Sequence, residues 1–194
     1  MILTIICIIS LFAGAVIIAR KIHRKICRHL LFCLLILAVV AVGVFGNTFL
    51  RFQTPEDASR YLSTDPIVDT VEGENSCLVI TQKDSSTFNN SFFMKDGGGY
   101  RVITPFQLQR NQMQLGNGRT ASIYTIKGTM DDYVLFFDTA PIDSESVITD
   151  TNGTVFRTVT FETGAADNVI FAYAYVGQIG EDYEVYVTSS SRQS

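Results

Sequence analysis

Two uncharged apolar runs, held ten residues apart, constrain this chain more than any other feature. The first, MILTIICIISLFAGAVIIA at residues 1–19, has Thr4, Cys7 and Ser10 as its only polar side chains and so has no polar face. A helix on the surface of a soluble core interrupts its apolar stripe every three or four positions so that one side meets water. This run never does. At a rise of ~1.5 Å per residue it reaches roughly 28 Å, close to the hydrocarbon thickness of a bilayer. The second run, LLFCLLILAVVAVGVFG at residues 30–46, continues through Asn47, Thr48 and Phe49 to Leu50 and is also long enough to span. Residues 1–50 therefore read as a transmembrane helical hairpin with spans 1–19 and 30–50, a turn at 20–29, and the lipid bilayer as its first partner.

The turn, RKIHRKICRH, fixes the expected orientation. It holds Arg20, Lys21, Arg24, Lys25 and Arg28, while no cation precedes the first span and only Arg51 closely follows the second. Lys and Arg near the ends of spans are retained on the cytoplasmic side. The turn is thus expected inside the cell, with both termini and residues 51–194 extracytoplasmic. Charge divides at the same place. Residues 1–46 carry five basic and no acidic residues, +5, and residues 47–194 carry the other ten basic and all 19 acidic ones, −9; the two sum to the chain's −4. A basic run can also bind nucleic acid, but the flanking spans leave this one little reach, and −9 on the outer part repels phosphate. A competing reading takes residues 30–45 as the apolar core of a signal peptide cleaved before Asn47, which would release the outer domain.

After Leu50 the pattern changes. TPEDASRYLS places Thr54 as N-cap, Pro55 at the first helical position and Asp57 three residues after the cap, which predicts a short helix ending before Asp65-Pro66. Beyond it, runs rich in Val, Ile, Thr, Tyr and Phe alternate with turn residues. Strands are expected near 67–71, 76–82, 91–95, 100–104, 121–127, 133–138, 146–150, 154–162, 169–177 and 183–189. Turns are marked at Glu72-Gly73-Glu74-Asn75, Asp96-Gly97-Gly98-Gly99, Gly116-Asn117-Gly118, Thr151-Asn152-Gly153 and Gly180-Glu181-Asp182. Short strands with close turns predict an all-β fold, an antiparallel β-sandwich or barrel, over 51–194. YEVYVTS sets Tyr183, Val185 and Val187 against Glu184, Tyr186 and Thr188, the alternation of a half-buried strand. VIFAYAYV is apolar on both faces and should lie inside a sheet. QLQRNQMQLGNG, residues 107–118, reads as a long connection that either covers a sheet edge or binds something, with a short strand at Met113 to Leu115.

Chemistry is sparse in the outer part. Of the cysteines Cys7, Cys27, Cys33 and Cys77, only Cys77 lies beyond the hairpin; alone in a strand-like run, it reads as a small buried hydrophobe. Both histidines, His23 and His29, belong to the basic turn, so a Ser-His-Asp arrangement has no base in the outer domain. No nucleophile elbow, Walker loop or dinucleotide fingerprint occurs, and Gly97-Gly98-Gly99 joins two strands without opening a helix. Asp131, Asp132, Asp138, Asp143, Glu145 and Asp150 are the carboxylates from which a glycosidase pair would be drawn. Asp143-Ser144-Glu145 and Asp150-Thr151-Asn152-Gly153 carry hard oxygen donors without the spacing of a calcium loop, and read as solvated turns. No catalytic, metal-binding or cofactor-binding residue is assigned.

The strings TPEDASRYLS, VEGENSCLVI, GYRVITPF and IYTIKGT resemble, in order and spacing, small membrane-anchored extracytoplasmic proteins of Gram-positive bacteria. The likeness spans residues 54–188 and rests on helix cap, strand and turn. It implies a location in the bacterial envelope and carries no chemistry over. The expectation is a non-catalytic, membrane-anchored binding or protein-interaction module. The alternatives are an accessory or regulatory subunit of a larger membrane complex such as a transporter or sensor, with a membrane or envelope protein as partner, and a carboxylate-dependent hydrolase.

Overall fold

A computed structural model describes residues 10, 13, 14, 16, 25–84, 87–115, 119–141, 144–162 and 167–191. Arg20, Lys21 and Arg24, most of the first apolar run, the Gly116-Asn117-Gly118 turn and Asp143 lie outside the described residues. The second apolar run forms helix α1 (Lys25–Phe45), followed by a 3-10 turn at Gly46–Phe49. The described helix includes KICRH, ahead of the expected span at Leu30; that segment contains neither Gly nor Pro to break it. Lys25 and Arg28 are therefore helical, and their side chains lie outside the description. Phe32, Leu34, Ile36, Leu37 and Val40 of α1 are exposed, Leu37 by 70%. Among the described residues no helix is long and apolar enough to cross a membrane: in α1 the side chains are described continuously only from Leu31 to Val42.

Helix α2 (Pro55–Leu62) starts as its sequence dictates. Thr54 is extended, and its hydroxyl accepts the Asp57 amide at 3.1 Å, satisfying one of the donors that a helix start leaves free. Eleven antiparallel strands follow among the described residues, which makes the fold all-β. β1 (Ile67–Glu72), β2 (Ser76–Gln82), β3 (Phe88–Asp96) and β4 (Gly99–Val102) form a four-stranded sheet in that order. β5 (Leu108–Gln114), β6 (Thr120–Ile126), β7 (Asp132–Pro141), β9 (Arg157–Glu162) and β10 (Asp167–Gly177) form a five-stranded sheet ordered β5-β6-β7-β10-β9. β8 (Ser144–Asp150) and β11 (Val185–Ser191) pair separately.

Three apolar clusters stack these layers. Between the two large sheets lie Leu78, Ile80 and Phe92 from one and Ile126, Tyr133, Leu135, Phe171 and Tyr173 from the other. The opposite face of the five-stranded sheet packs Val134, Phe136, Ile170 and Ala172 against Ile148, Tyr183 and Val185 of the β8–β11 layer. On the far side of the four-stranded sheet, Ala58 of α2 covers Cys77, Val79 and Phe93. β2 and β10 are each covered on both faces, which is why SCLVITQ and VIFAYAYV carry apolar side chains at successive positions. Burying one such Phe or Ile contributes roughly 1.5–3 kcal/mol.

The stretch at 107–118 departs from the sequence reading. LQRNQMQ is a strand, not a connection: β5 pairs with β6 without a register shift from Leu108↔Ile126 to Gln114↔Thr120. It sits at a sheet edge with four successive exposed residues, so apolar alternation never developed there. Gly97-Gly98-Gly99 joins β3 to β4 as the expected turn. Gly97 and Gly98 take φ values of 59° and 87°, as a tight turn requires, but Gly99 is present for space: a Cβ there would lie 2.6 Å from the Phe52 carbonyl oxygen. Phe52 and Tyr100 exchange backbone bonds of 2.8 Å, so the segment before α2 closes the β4 edge.

Candidate functional site

Four of the six carboxylates singled out from sequence are described with their surroundings, and each is an acceptor within the fold. Asp131 is fully buried; its Oδ2 accepts the Asn75 amide at 2.8 Å and the Ser76 hydroxyl, and its Oδ1 accepts the Tyr175 hydroxyl at 3.1 Å. Ser76 in turn lies 2.9 Å from the Tyr133 hydroxyl, whose ionisation burial pushes far upward. Asp132 points to the other face of β7, where its Oδ2 accepts the Ile179 amide at 2.8 Å and its Oδ1 is buried without a partner among the described residues. Adjacent in sequence, these two acids are separated by the sheet.

Asp138, with a side chain 2% exposed, pairs with Arg119 at 2.8 Å. Asp150 is buried and organises its turn, which corrects its reading as solvated: Oδ1 accepts the amides of Asn152 at 3.0 Å and Thr154 at 2.7 Å, and Oδ2 accepts the Tyr183 hydroxyl at 3.0 Å. Burial raises this carboxyl, but the bonds from Thr154, Tyr183 and Asn152 outweigh it and hold it below the ordinary value. The Glu145 side chain lies outside the description. Among the described residues no cluster of three or more His, Cys, Asp or Glu side chains is placed to hold a metal ion.

A groove of about 270 Å³ lies between β3 of the four-stranded sheet and β5, β6, β7 and β10 of the five-stranded one. Its floor is aromatic. Phe137 stacks on Phe171 at 4.7 Å between ring centroids, Phe171 stacks on Phe88 at 5.3 Å, and Tyr124 and Leu135 complete the surface. Phe137 is 51% exposed, although the two neighbouring residues on β7, Phe136 and Asp138, are buried. The rim carries amides and hydroxyls, Asn89 and Asn90 from β3, Gln112 from β5, and Thr120 and Ser122 from β6. Among the described lining residues one is charged. Arg110 of β5 donates from Nη2 to the Ser122 hydroxyl at 2.9 Å and lies 5.6 Å from the centre of the Tyr124 ring, so both its position and its stem are held.

Compared with family models, with curated proteins and with solved structures, the chain finds no match. The groove's geometry therefore stands on its own. Stacked, partly exposed aromatic faces bind the flat apolar faces of ligands, the amide rim supplies both donors and acceptors, and the guanidinium selects for negative charge. None of its described lining residues is a histidine or a carboxylate.

Sequence reasoning reached this site from one side only. Arg110 and Gln112 fall inside the stretch flagged as a possible binding connection, whereas Phe88, Asn89 and Asn90 lie ahead of the strand expected at 91–95. The signal that would have found Phe137 is the consecutive pair Phe136-Phe137. On a strand such a pair faces both ways, so one ring needs a second covering layer, and here Phe137 lines the groove.

Proposed function

We propose that this chain is a non-catalytic binding module of the bacterial envelope, anchored by a two-span hairpin whose basic turn, from Arg20 to Arg28, faces the cytoplasm. Its acidic outer domain, a β-sandwich, displays the groove extracytoplasmically. The groove carries this reading: half-exposed Phe137 and the tethered Arg110 line a concave surface with no acid–base pair among its described lining residues. Of the six candidate carboxylates, the four whose surroundings are described are each acceptors within the fold, which disfavours the hydrolase alternative.

The test is a thermal-shift panel of cell-wall oligosaccharides and peptides against the full chain in lipid nanodiscs. At least one ligand class should raise the unfolding midpoint of the unaltered chain and fail to do so for a Phe137→Ala/Arg110→Gln double variant, since only binding to the folded state shifts the midpoint. A panel that shifts neither protein would overturn the reading.

The exposed apolar side chains of α1 favour a second reading, in which the helix docks on other spans and the outer domain regulates a transporter or sensor. Exchanging residues 1–50 for an unrelated hairpin of the same orientation separates the two. Display survives the exchange, and subunit function is lost.

A further inference from the structure

Resting on the groove's role as a binding site, we infer that β5 and the groove beside it take an extended, acidic peptide strand from another protein, added edge to edge to the five-stranded sheet. The phase of the β5–β6 ladder carries the argument. Lys127 donates its amide to the Gln107 carbonyl at 2.7 Å, and Leu115 donates to the Arg119 carbonyl at 2.8 Å, both in the register of the pair. In an antiparallel ladder the amide and carbonyl of one residue point to the same side, and the side alternates along the strand. The odd-numbered residues of β5 thus bond to β6, and the backbone groups of Leu108, Arg110, Gln112 and Gln114 point away from the sheet. None of these four amides has a partner among the described residues.

Natural edges are ordinarily blunted by lysine, proline, a bulge or a covering segment. LQRNQMQ contains no Lys and no Pro, and its register with β6 is unbroken. The β4 edge of the other large sheet, by contrast, is closed by Phe52.

Two residues with outward backbone groups, Arg110 and Gln112, also line the groove. A guest strand lying ~4.8 Å from β5 would project every second side chain onto that same face. One such side chain would meet Arg110, whose guanidinium has no carboxylate partner among the described residues, and none of the groove's described lining residues is acidic. The next side chain on that face, two residues along the guest, would pack against Leu108, which is half-buried at the start of β5. Charge complementarity also decides between guests. A second copy of this chain pairing through β5 would bring another arginine and no acid, so the occupant is a different protein's segment, with a carboxylate two residues from an apolar side chain.

The experiment is selection of a displayed random octapeptide library on the full chain in nanodiscs, followed by fluorescence anisotropy with the peptides recovered. Enriched sequences should carry Asp or Glu two positions from an aromatic or aliphatic residue. Methylating the backbone nitrogens of alternate residues should weaken binding about tenfold or more for one set and leave the other set unaffected, because only one edge of the guest faces β5. Arg110→Gln should weaken the acidic peptide by a similar factor and leave its amide analogue unchanged. Gln112→Pro removes an outward amide while sparing the bonds to β6, and should abolish selection; if that variant does not fold, the methylated peptides carry the same test on unaltered protein.

Tolerance of methylation at both edges, or no enrichment at all, overturns the strand inference. Oligosaccharide binding that depends on Arg110, without any peptide enriched, leaves the groove a binding site and removes only the strand. Failure of both ligand classes removes the binding reading as well.

Discussion

Arg157 on β9 holds both carboxylate oxygens of Asp69 on β1, each 2.8 Å from its Nη1. The pair links the two large sheets at an edge. Tyr173 of β10 adds its hydroxyl to the same carboxylate at 2.9 Å, and the register of β1 with β2 shifts between Ile67 and Asp69, just ahead of this contact. Burial raises the Asp69 carboxyl, but bonds from Arg157, the Thr70 amide and Tyr173 outweigh it, so it titrates below its ordinary value of 3.8. A carboxyl depressed in the folded state stabilises fully above its unfolded value, and that contribution fades as pH falls through the folded value. Arg157 is more than half exposed, so the pair contributes modestly, about 1 kcal/mol. Arg157→Met should cost about that much at pH 7, and the gap from the unaltered protein should narrow toward pH 3. Urea unfolding followed by tyrosine fluorescence at both pH values measures it. A gap as wide in acid as at neutrality would show that lost packing, not charge, accounts for the cost.

A methyl group at Gly73 would be felt across the same interface. An added Cβ there would lie 2.5 Å from the Tyr133 hydroxyl oxygen and 3.0 Å from Asp131 Oδ2, and both groups are fully buried and hydrogen-bonded in place. Neither can move without breaking the network with Ser76. Gly73→Ala should destabilise the domain by about 2–3 kcal/mol through this overpacking. Asp131→Asn should cost about 1–3 kcal/mol, because replacing one oxygen with an NH₂ turns a donor toward donors. Thermal unfolding by circular dichroism would report both as lowered midpoints, and a Gly73→Ala midpoint equal to the unaltered chain's would refute the packing account.

Much of this fold was legible because its signals are local. Thr54, Pro55 and Asp57 specify the start of α2 by capping chemistry alone, and β2 was bounded correctly because Asn75 and Lys83 flank an unbroken apolar run. The two-faced apolar pattern of residues 169–176 placed β10 inside its sheet. β5 escaped for the complementary reason. Its residues form half of an edge, with backbone bonds on one side only and four successive exposed side chains, so neither period nor propensity announces a strand. The groove escaped too, since Phe88, Arg110 and Phe137 come from three strands and converge only through sheet order.

Cys77 offers a chemical probe of the packed state. It is fully buried between α2 and β2's neighbours, and burial, reinforced by the charges of Glu72 and Glu56, pushes its thiol well above the ordinary range. The thiolate is the reactive form, so Cys77 should resist iodoacetamide at pH 8 for hours in the folded protein and react within minutes in 8 M urea. Peptide mass spectrometry distinguishes it from Cys33. Rapid modification of Cys77 without denaturant would mean that α2 lifts readily from the sheet.

The proposed orientation makes the last prediction. Val155 is 85% exposed, so Val155→Cys supplies a reporter thiol on the outer domain that water can reach. With Arg20, Lys21, Arg24, Lys25 and Arg28 retained inside, a membrane-impermeant maleimide added to whole cells should label this thiol. Replacing all five by glutamine removes the cations that resist translocation, and adding three lysines ahead of residue 1 supplies a competing cluster. Labelling should then fall several-fold and return on lysis. The charge reversal tests the mechanism as well as the address: a variant labelled as fully as its parent would mean that translocation of the large domain, and not the positive turn, sets the orientation. A parent that is labelled only after lysis would place residues 51–194 in the cytoplasm and move the groove's ligands with them.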